Sequence, residues 1–198
     1  MKLNKRLNCS QCLRPQTLCH CHLIERISSD LPIVILQHPD EQNHPFNTAR
    51  IVRDSIIQST LLTGTQWSLS EGALSEAMPK RAWPFLLYTG EPIVSVSGIK
   101  SEINEHGGTP VAIILDGTWR NTREILLSSP QLQSVPRVAL LLPKTSTYAI
   151  RKSNVQGGLA TIEAAYHLLT QWHENEQYQG LLTPFEYMVA QQRQFVPS

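Results

Sequence analysis

Two groups of residues in this 198-residue chain have types and spacings that could do chemistry. The first is Asp116-Gly117-Thr118-Trp119, which follows directly on the apolar run Val111-Ala112-Ile113-Ile114-Leu115. An acid, a hydroxyl and an indole thus stand where a buried strand is expected to end, and open α/β sheets bind ligands beyond the carboxyl ends of their strands. A carboxylate at that place can take a proton, hold a cation, or merely cap the helical pattern that begins near Trp119. The second group is the set of all four cysteines, Cys9, Cys12, Cys19 and Cys21. Four thiolates spaced this way can surround one tetrahedral zinc, with His20 or His22 able to replace a sulfur. Two disulfides are the poorer reading in a chain whose start carries no secretion signal. No cysteine stands apart beside a histidine-based constellation, so the cluster is expected to be structural, not nucleophilic.

Elements that could position these groups follow from the apolar pattern. Residues 32–36 read as a buried strand ending in Gln37-His38-Pro39-Asp40-Glu41. Asn47 can cap a helix on which Ala49, Val52, Ile56, Ile57 and Leu61 recur at near-helical spacing. The stretch 63–84 is mixed, and Phe85-Leu86-Leu87-Tyr88 is a further short apolar run before the strand that leads to Asp116. A helix is expected over about 119–127, a strand over 137–142, a long basic loop from Lys144 to Gly158 carrying Tyr148 and Arg151, and helices over about 159–172 and 184–194. Apolar runs alternating with helices imply an α/β fold: a mostly parallel sheet with helices on both faces. The loops after Leu36, Tyr88, Leu115 and Leu142 would then gather His38, Glu41, Glu91, Asp116, Thr118, Trp119 and Lys144 at one edge.

Composition, with 41% hydrophobic and 17% charged residues, is that of a globular domain large enough to bury a full core. No run approaches the roughly 18–20 apolar residues of a membrane span, and the polar start lacks the apolar core of a signal peptide, so a cytoplasmic location is expected. The net charge of +1 does not by itself suggest a nucleic-acid partner, but its distribution is uneven. No acid precedes Glu25, while Lys2, Lys5, Arg6 and Arg14 lie in that stretch; the patch is either a phosphate-binding surface or a solvated tail. Gly-x-Gly-x-x-Gly and phosphate-loop motifs are absent, which argues against a Rossmann-type dinucleotide or methyltransferase site.

Taken together, Cys9-x-x-Cys12…Cys19-x-Cys21, His38-Pro39-x-Glu41, Asn47-Thr48, Asp116-x-Thr118-Trp119 and Thr161-Ile162-Glu163-Ala164 resemble the DTW-domain family, from Cys9 to about Leu169. The resemblance implies a tRNA-uridine aminocarboxypropyltransferase that moves the 3-amino-3-carboxypropyl arm of S-adenosylmethionine to N3 of a uridine, releasing methylthioadenosine. It also implies a SPOUT-like fold with a C-terminal trefoil knot built from Leu140-Leu141-Leu142, the loop to Gly158 and the helix through Thr161. Residues 1–28 would form the zinc module and 29–198 the catalytic domain. One departure is Ala160, where a serine is expected before Thr161. The additional His44-Pro45-Phe46 between His38 and Asn47 bears on which RNA is recognised.

On this reading Asp116, Thr118 and Trp119 are the catalytic candidates, and Thr118, Trp119, Leu141, Leu142, Gly158 and Thr161 the cofactor-binding ones. Asp116 would serve either as the base for uridine N3 or as the partner of the cofactor's ammonium. Trp119 would line the pocket or simply pack its helix. His38 and Glu41 could steady each other. The partners are tRNA and S-adenosylmethionine, with no membrane and no metal in the displacement itself. The rivals are a methyltransferase on the same fold, exposing a different carbon of the sulfonium, and a non-catalytic zinc-ribbon RNA-binding protein.

Overall fold

The computed structural model describes residues 7–88, 93–141 and 159–194. Strand β1 (Ile33–Gln37) is buried along its whole length, as branched apolar residues covered on both faces of a sheet should be. Asn47 caps α1 (Thr48–Ser55) by accepting the Arg50 N–H. The periodicity that extended this helix to Leu61 misleads: Ile56 takes extended backbone at φ −91° and ψ 120°, and Ser59–Thr63 forms β2 beside β1. Consecutive β-branched Ile56 and Ile57 fit extended backbone, and Ile56 gains a parallel bridge to Ile27 there.

The chain continues through α2 (Gly72–Ala77), β3 (Ala82–Leu87), β4 (Ile93–Val94) and α3 (Val96–His106). Helix α3 is absent from the reading of the sequence. Its ends are nevertheless conventional, with Ser95 accepting the Gly98 N–H at 3.0 Å and Gly107 closing it at φ 75°. Then come β5 (Thr109–Asp116), α4 (Trp119–Ser128), α5 (Pro130–Gln133), β6 (Arg137–Val138), α6 (Thr161–His173) and α7 (Thr183–Arg193). Strand β6 is much shorter than the apolar run 137–142. The backbone of Leu141 pairs with the side-chain amide of Gln171, at 3.0 and 3.1 Å, in place of a neighbouring strand.

The six strands form one sheet in the order β2-β1-β5-β3-β6-β4, every pairing parallel. Alternation along β1 and β5 divides the core. Ile33, Ile35, Ala112 and Ile114 face α1, α3, α6 and α7, whereas Val34, Leu36, Ile113 and Leu115 face α2, α4 and α5. Helices on both faces are therefore observed. From β1 the chain leads to β2 on one side; from β5 it leads past β3 to β6 on the other. The crevice where two connections diverge is the usual ligand position in such sheets. Here it lies above β1 and β5, whose last residues, Gln37 and Asp116, are register partners. Of the chain expected to tie a knot, from Leu140 through the helix at Thr161, residues 142–158 lie outside the described residues.

Candidate active site and metal centre

Asp116 ends the row Ala112, Ile114, Asp116 on the face that α6 covers, where the sheet passes from core to edge. Both of its carboxylate oxygens accept hydrogen bonds. Gln37 Nε2 donates to Oδ2 at 2.8 Å, and the Thr161 hydroxyl, on the first residue of α6, donates to Oδ1. Three elements distant in sequence thus converge on one carboxylate.

The capping alternative for Asp116 is answered by its neighbour, because the N-cap of α4 is Thr118, whose hydroxyl accepts the Asn121 N–H at 3.3 Å. Gly117 between them leaves little room for a side chain. A Cβ there would stand 3.0 Å from Asn121 Cβ and 3.4 Å from His38 Cβ. Trp119 is 44% exposed, which removes the core-packing reading, and its indole meets the Tyr88 ring edge-on at 6.1 Å between centroids. Arg137 lies over the other ring, its guanidinium 5.9 Å from the Tyr88 centroid.

His38 belongs to the same edge, its N–H donating to the Asp116 carbonyl at 2.9 Å. Its buried ring accepts the Asp40 N–H at Nδ1 and turns Nε2 toward Glu124, 3.6 Å away. Glu41 is tied in through its backbone, its N–H donating to the His38 carbonyl at 3.0 Å and its carbonyl accepting from the Asn47 amide at 3.0 Å, so it meets His38 through the main chain and not through the imidazole. Thr161, a cofactor-binding candidate, is thus placed against Asp116, and Ala160 leaves α6 without a capping hydroxyl. Glu163 compensates by accepting the Ala160 N–H at 2.7 Å. Leu141 is 80% exposed and is anchored to Gln171, about 15 Å along α6 from Thr161, so it is not drawn into the Asp116 cluster. Leu142 and Gly158 lie outside the described residues, as do Glu91 and Lys144. A recess of about 640 Å³ lined by Gln66, Trp67, Glu71, Leu74, Ser128 and Gln131 contains none of these groups and is not the candidate site.

Gln37 is the member that the sequence reading missed. Its signal was a polar residue ending an otherwise apolar strand, at the level of the acid ending the next one.

At the N-terminus the four cysteine sulfurs lie within 4.8 Å of one another, and those of Cys9 and Cys21 are 3.8 Å apart. Ligands about 2.3 Å from a tetrahedral zinc stand about 3.8 Å apart, so the Cys9 and Cys21 sulfurs already have that spacing and the others need draw in by at most about 1 Å. The Cys9 thiol is lowered to about 6, chiefly by the backbone N–H groups of Cys12 and Gln11, the geometry of a knuckle closed by Leu13 at φ 60°. The histidines stand outside the cage. His20 is buried, and burial followed by the nearby Arg14 charge lowers it to about 4, so it is neutral; His22 packs edge-on against Tyr187 of α7 at 5.6 Å.

Arg14 corrects an expectation. It is only 4% exposed, donating to Gln191 of α7 at 3.1 Å and lying 5.6 Å above the Phe46 ring, so it anchors the module to the body and does not face phosphates. Arg50 of α1 adds a second tie, donating to the Cys12 carbonyl at 3.4 Å. Lys2, Lys5 and Arg6 lie outside the described residues.

Comparison with known proteins agrees with this layout. A family model described as the DTW domain matches residues 6–193. Over 173 residues the chain is 30% identical to tRNA-uridine aminocarboxypropyltransferase 2 of Drosophila melanogaster, covering 84% of this chain and 66% of that protein. It is 26% identical over 197 residues to the protein of the same name from Macaca fascicularis, covering 96% and 65%, and 26% identical over 138 residues to tRNA-uridine aminocarboxypropyltransferase A of Arabidopsis thaliana, covering 64% and 52%. The chain thus spans just under two thirds of the length of the first two relatives. No solved structure matches it significantly. Because the match runs across the cysteine cage, the Asp116 edge and α6, the chain belongs to the DTW-domain family.

Proposed function

We propose that the chain transfers the 3-amino-3-carboxypropyl group of S-adenosylmethionine to N3 of a tRNA uridine. The observation that carries this reading is the Asp116 carboxylate, held by two donors at the diverging crevice of the sheet with a half-exposed indole beside it. The names of the relatives supply the reaction class and the tRNA substrate. In the reaction, uridine N3 attacks the γ-carbon of the amino-acid arm as the carbon–sulfur bond breaks. The bonding pair passes to sulfur, giving neutral methylthioadenosine, and the N3 proton is lost. A sulfonium has three carbons open to attack, so the enzyme selects its product by which carbon it aligns with the nucleophile. A fixed anion beside the strand ends suits an arm bearing an ammonium, and Trp119 offers an apolar wall for the adenosine.

The four cysteines are assigned to one structural zinc, which holds residues 1–28 as a module on a catalytic domain of residues 29–198. We place that domain in the SPOUT-like class, with the knot formed by the chain from Leu140 through the helix at Thr161. Among the described residues no helix is long and apolar enough to cross a membrane.

Parallel incubations of the protein and tRNA with S-adenosylmethionine labelled in the carboxyl carbon or in the methyl group test the reaction. The expected result is carboxyl label on uridine with methylthioadenosine released. Methyl label on RNA with S-adenosylhomocysteine as co-product makes the chain a methyltransferase, and no transfer of either label leaves it an RNA-binding protein.

A further inference from the structure

The side chain of Gln37 touches no reacting atom in the proposed chemistry, yet it occupies a guarded position. Its residue is 1% exposed, at the end of a strand whose other members are all apolar. An amide is buried in such surroundings only where it has a partner. The partner is Asp116, directly opposite in the parallel register and held at 2.8 Å. The Thr161 hydroxyl occupies the other carboxylate oxygen from α6.

We infer that Gln37 is a positioning residue for Asp116, and that the carboxylate it orients receives the ammonium of the S-adenosylmethionine amino-acid arm. The inference rests on the proposed function and deepens it. Two neutral donors fix the direction of a carboxylate without cancelling its charge, which is what a directed contact with a cation requires. Each oxygen accepts one of these bonds and keeps a further lone pair that can accept from the ammonium. The hydrogen bonds come from β1 and from α6, two elements packed into one core, so the carboxylate is oriented before any ligand arrives. Orienting the ammonium orients the γ-carbon, three bonds from the nitrogen along the arm, against the incoming nucleophile.

Calorimetric titration of wild type, Gln37→Met, Thr161→Val and Thr161→Ser with S-adenosylmethionine and with methylthioadenosine, which lacks the arm, tests this. Gln37→Met and Thr161→Val are each expected to weaken S-adenosylmethionine by about tenfold, the scale of a misdirected charge-assisted contact, with methylthioadenosine affinity unchanged. Thr161→Ser, which keeps the hydroxyl, should retain wild-type affinity for both. Single-turnover rates at saturating S-adenosylmethionine should fall less than affinity does. The two substitutions lie on different elements, so a folding defect in one leaves the other to decide. Unchanged S-adenosylmethionine affinity with a reduced saturated rate would instead mark Asp116 as the base, and equal losses for both ligands would reduce Gln37 to a packing role; either result overturns the inference while leaving the transfer reaction standing. Failure of the wild type to bind either ligand would overturn the proposed function and the inference with it.

Discussion

Asp116 and Thr118 stand two residues apart and do unlike work. Thr118 spends its hydroxyl on the first turn of α4, so Thr118→Ala should cost about 1 kcal/mol of stability, the usual value of a lost cap, and Thr118→Ser almost nothing, as read from denaturant midpoints. Trp119 should behave oppositely. Because the indole is 44% exposed, Trp119→Ala is expected to cost about 1 kcal/mol or less, against the roughly 3–5 kcal/mol of a core Trp→Ala, while lowering S-adenosylmethionine affinity. A loss of several kcal/mol without change in affinity would return Trp119 to the core. Cys and Arg divide the N-terminal module in the same way: the thiols make a cage, and the buried Arg14 makes its attachment.

At the level of elements, the site exists because the ends of β1 and β5 and the start of α6 meet. The attachment of the cysteine module to α1 and α7 through Arg50 and Arg14 predicts how metal loss spreads. Chelating the zinc proposed for the cysteine cage should raise hydrogen exchange over residues 7–27 and at the contacting turns of α7, with β1 and β5 still protected; uniform loss of protection would show that the sheet depends on the metal. Much of this arrangement was legible. The buried runs at β1 and β5, the Asn47 cap and the four cysteines each carry a local signal that tertiary context did not overturn. Strand β2 was not legible, because Ile56, Ile57 and Leu61 satisfy a helical period by accident and only pairing with β1 decides between helix and strand. Helix α3 had a signal that went unused, Ser95 at one end and Gly107 at the other with Val96, Ile99 and Ile103 between. Leu141 illustrates the reverse error, an apolar run read as strand whose backbone is claimed by the side chain of Gln171. The Gln37 to Asp116 contact depends on strand register, which periodicity does not give.

For the molecule as a whole, burial of Arg14 removes one of the N-terminal cations from the expected tRNA contacts, and the sheet edge offers others. Arg120 and Arg123 are exposed on the first turns of α4, beside Trp119, and no ion pair or hydrogen bond occupies their side chains among the described residues. Replacing both with Ala should weaken tRNA binding and lower its salt slope by about one per lost phosphate contact, whereas Arg14→Ala should destabilise the fold and leave the slope of the folded fraction unchanged. Filter binding across a salt series distinguishes them, and an unaltered slope in the Arg120 and Arg123 double variant would place the RNA elsewhere. The central claim, that this edge of the sheet performs the transfer, is tested most directly by mass spectrometry of nucleosides digested from tRNA after incubation with S-adenosylmethionine and either wild type or Asp116→Asn. The account predicts uridine carrying the added mass of one aminocarboxypropyl group with wild type and a much smaller yield with the variant. A methyl increment, or equal yields from the two proteins, would contradict it.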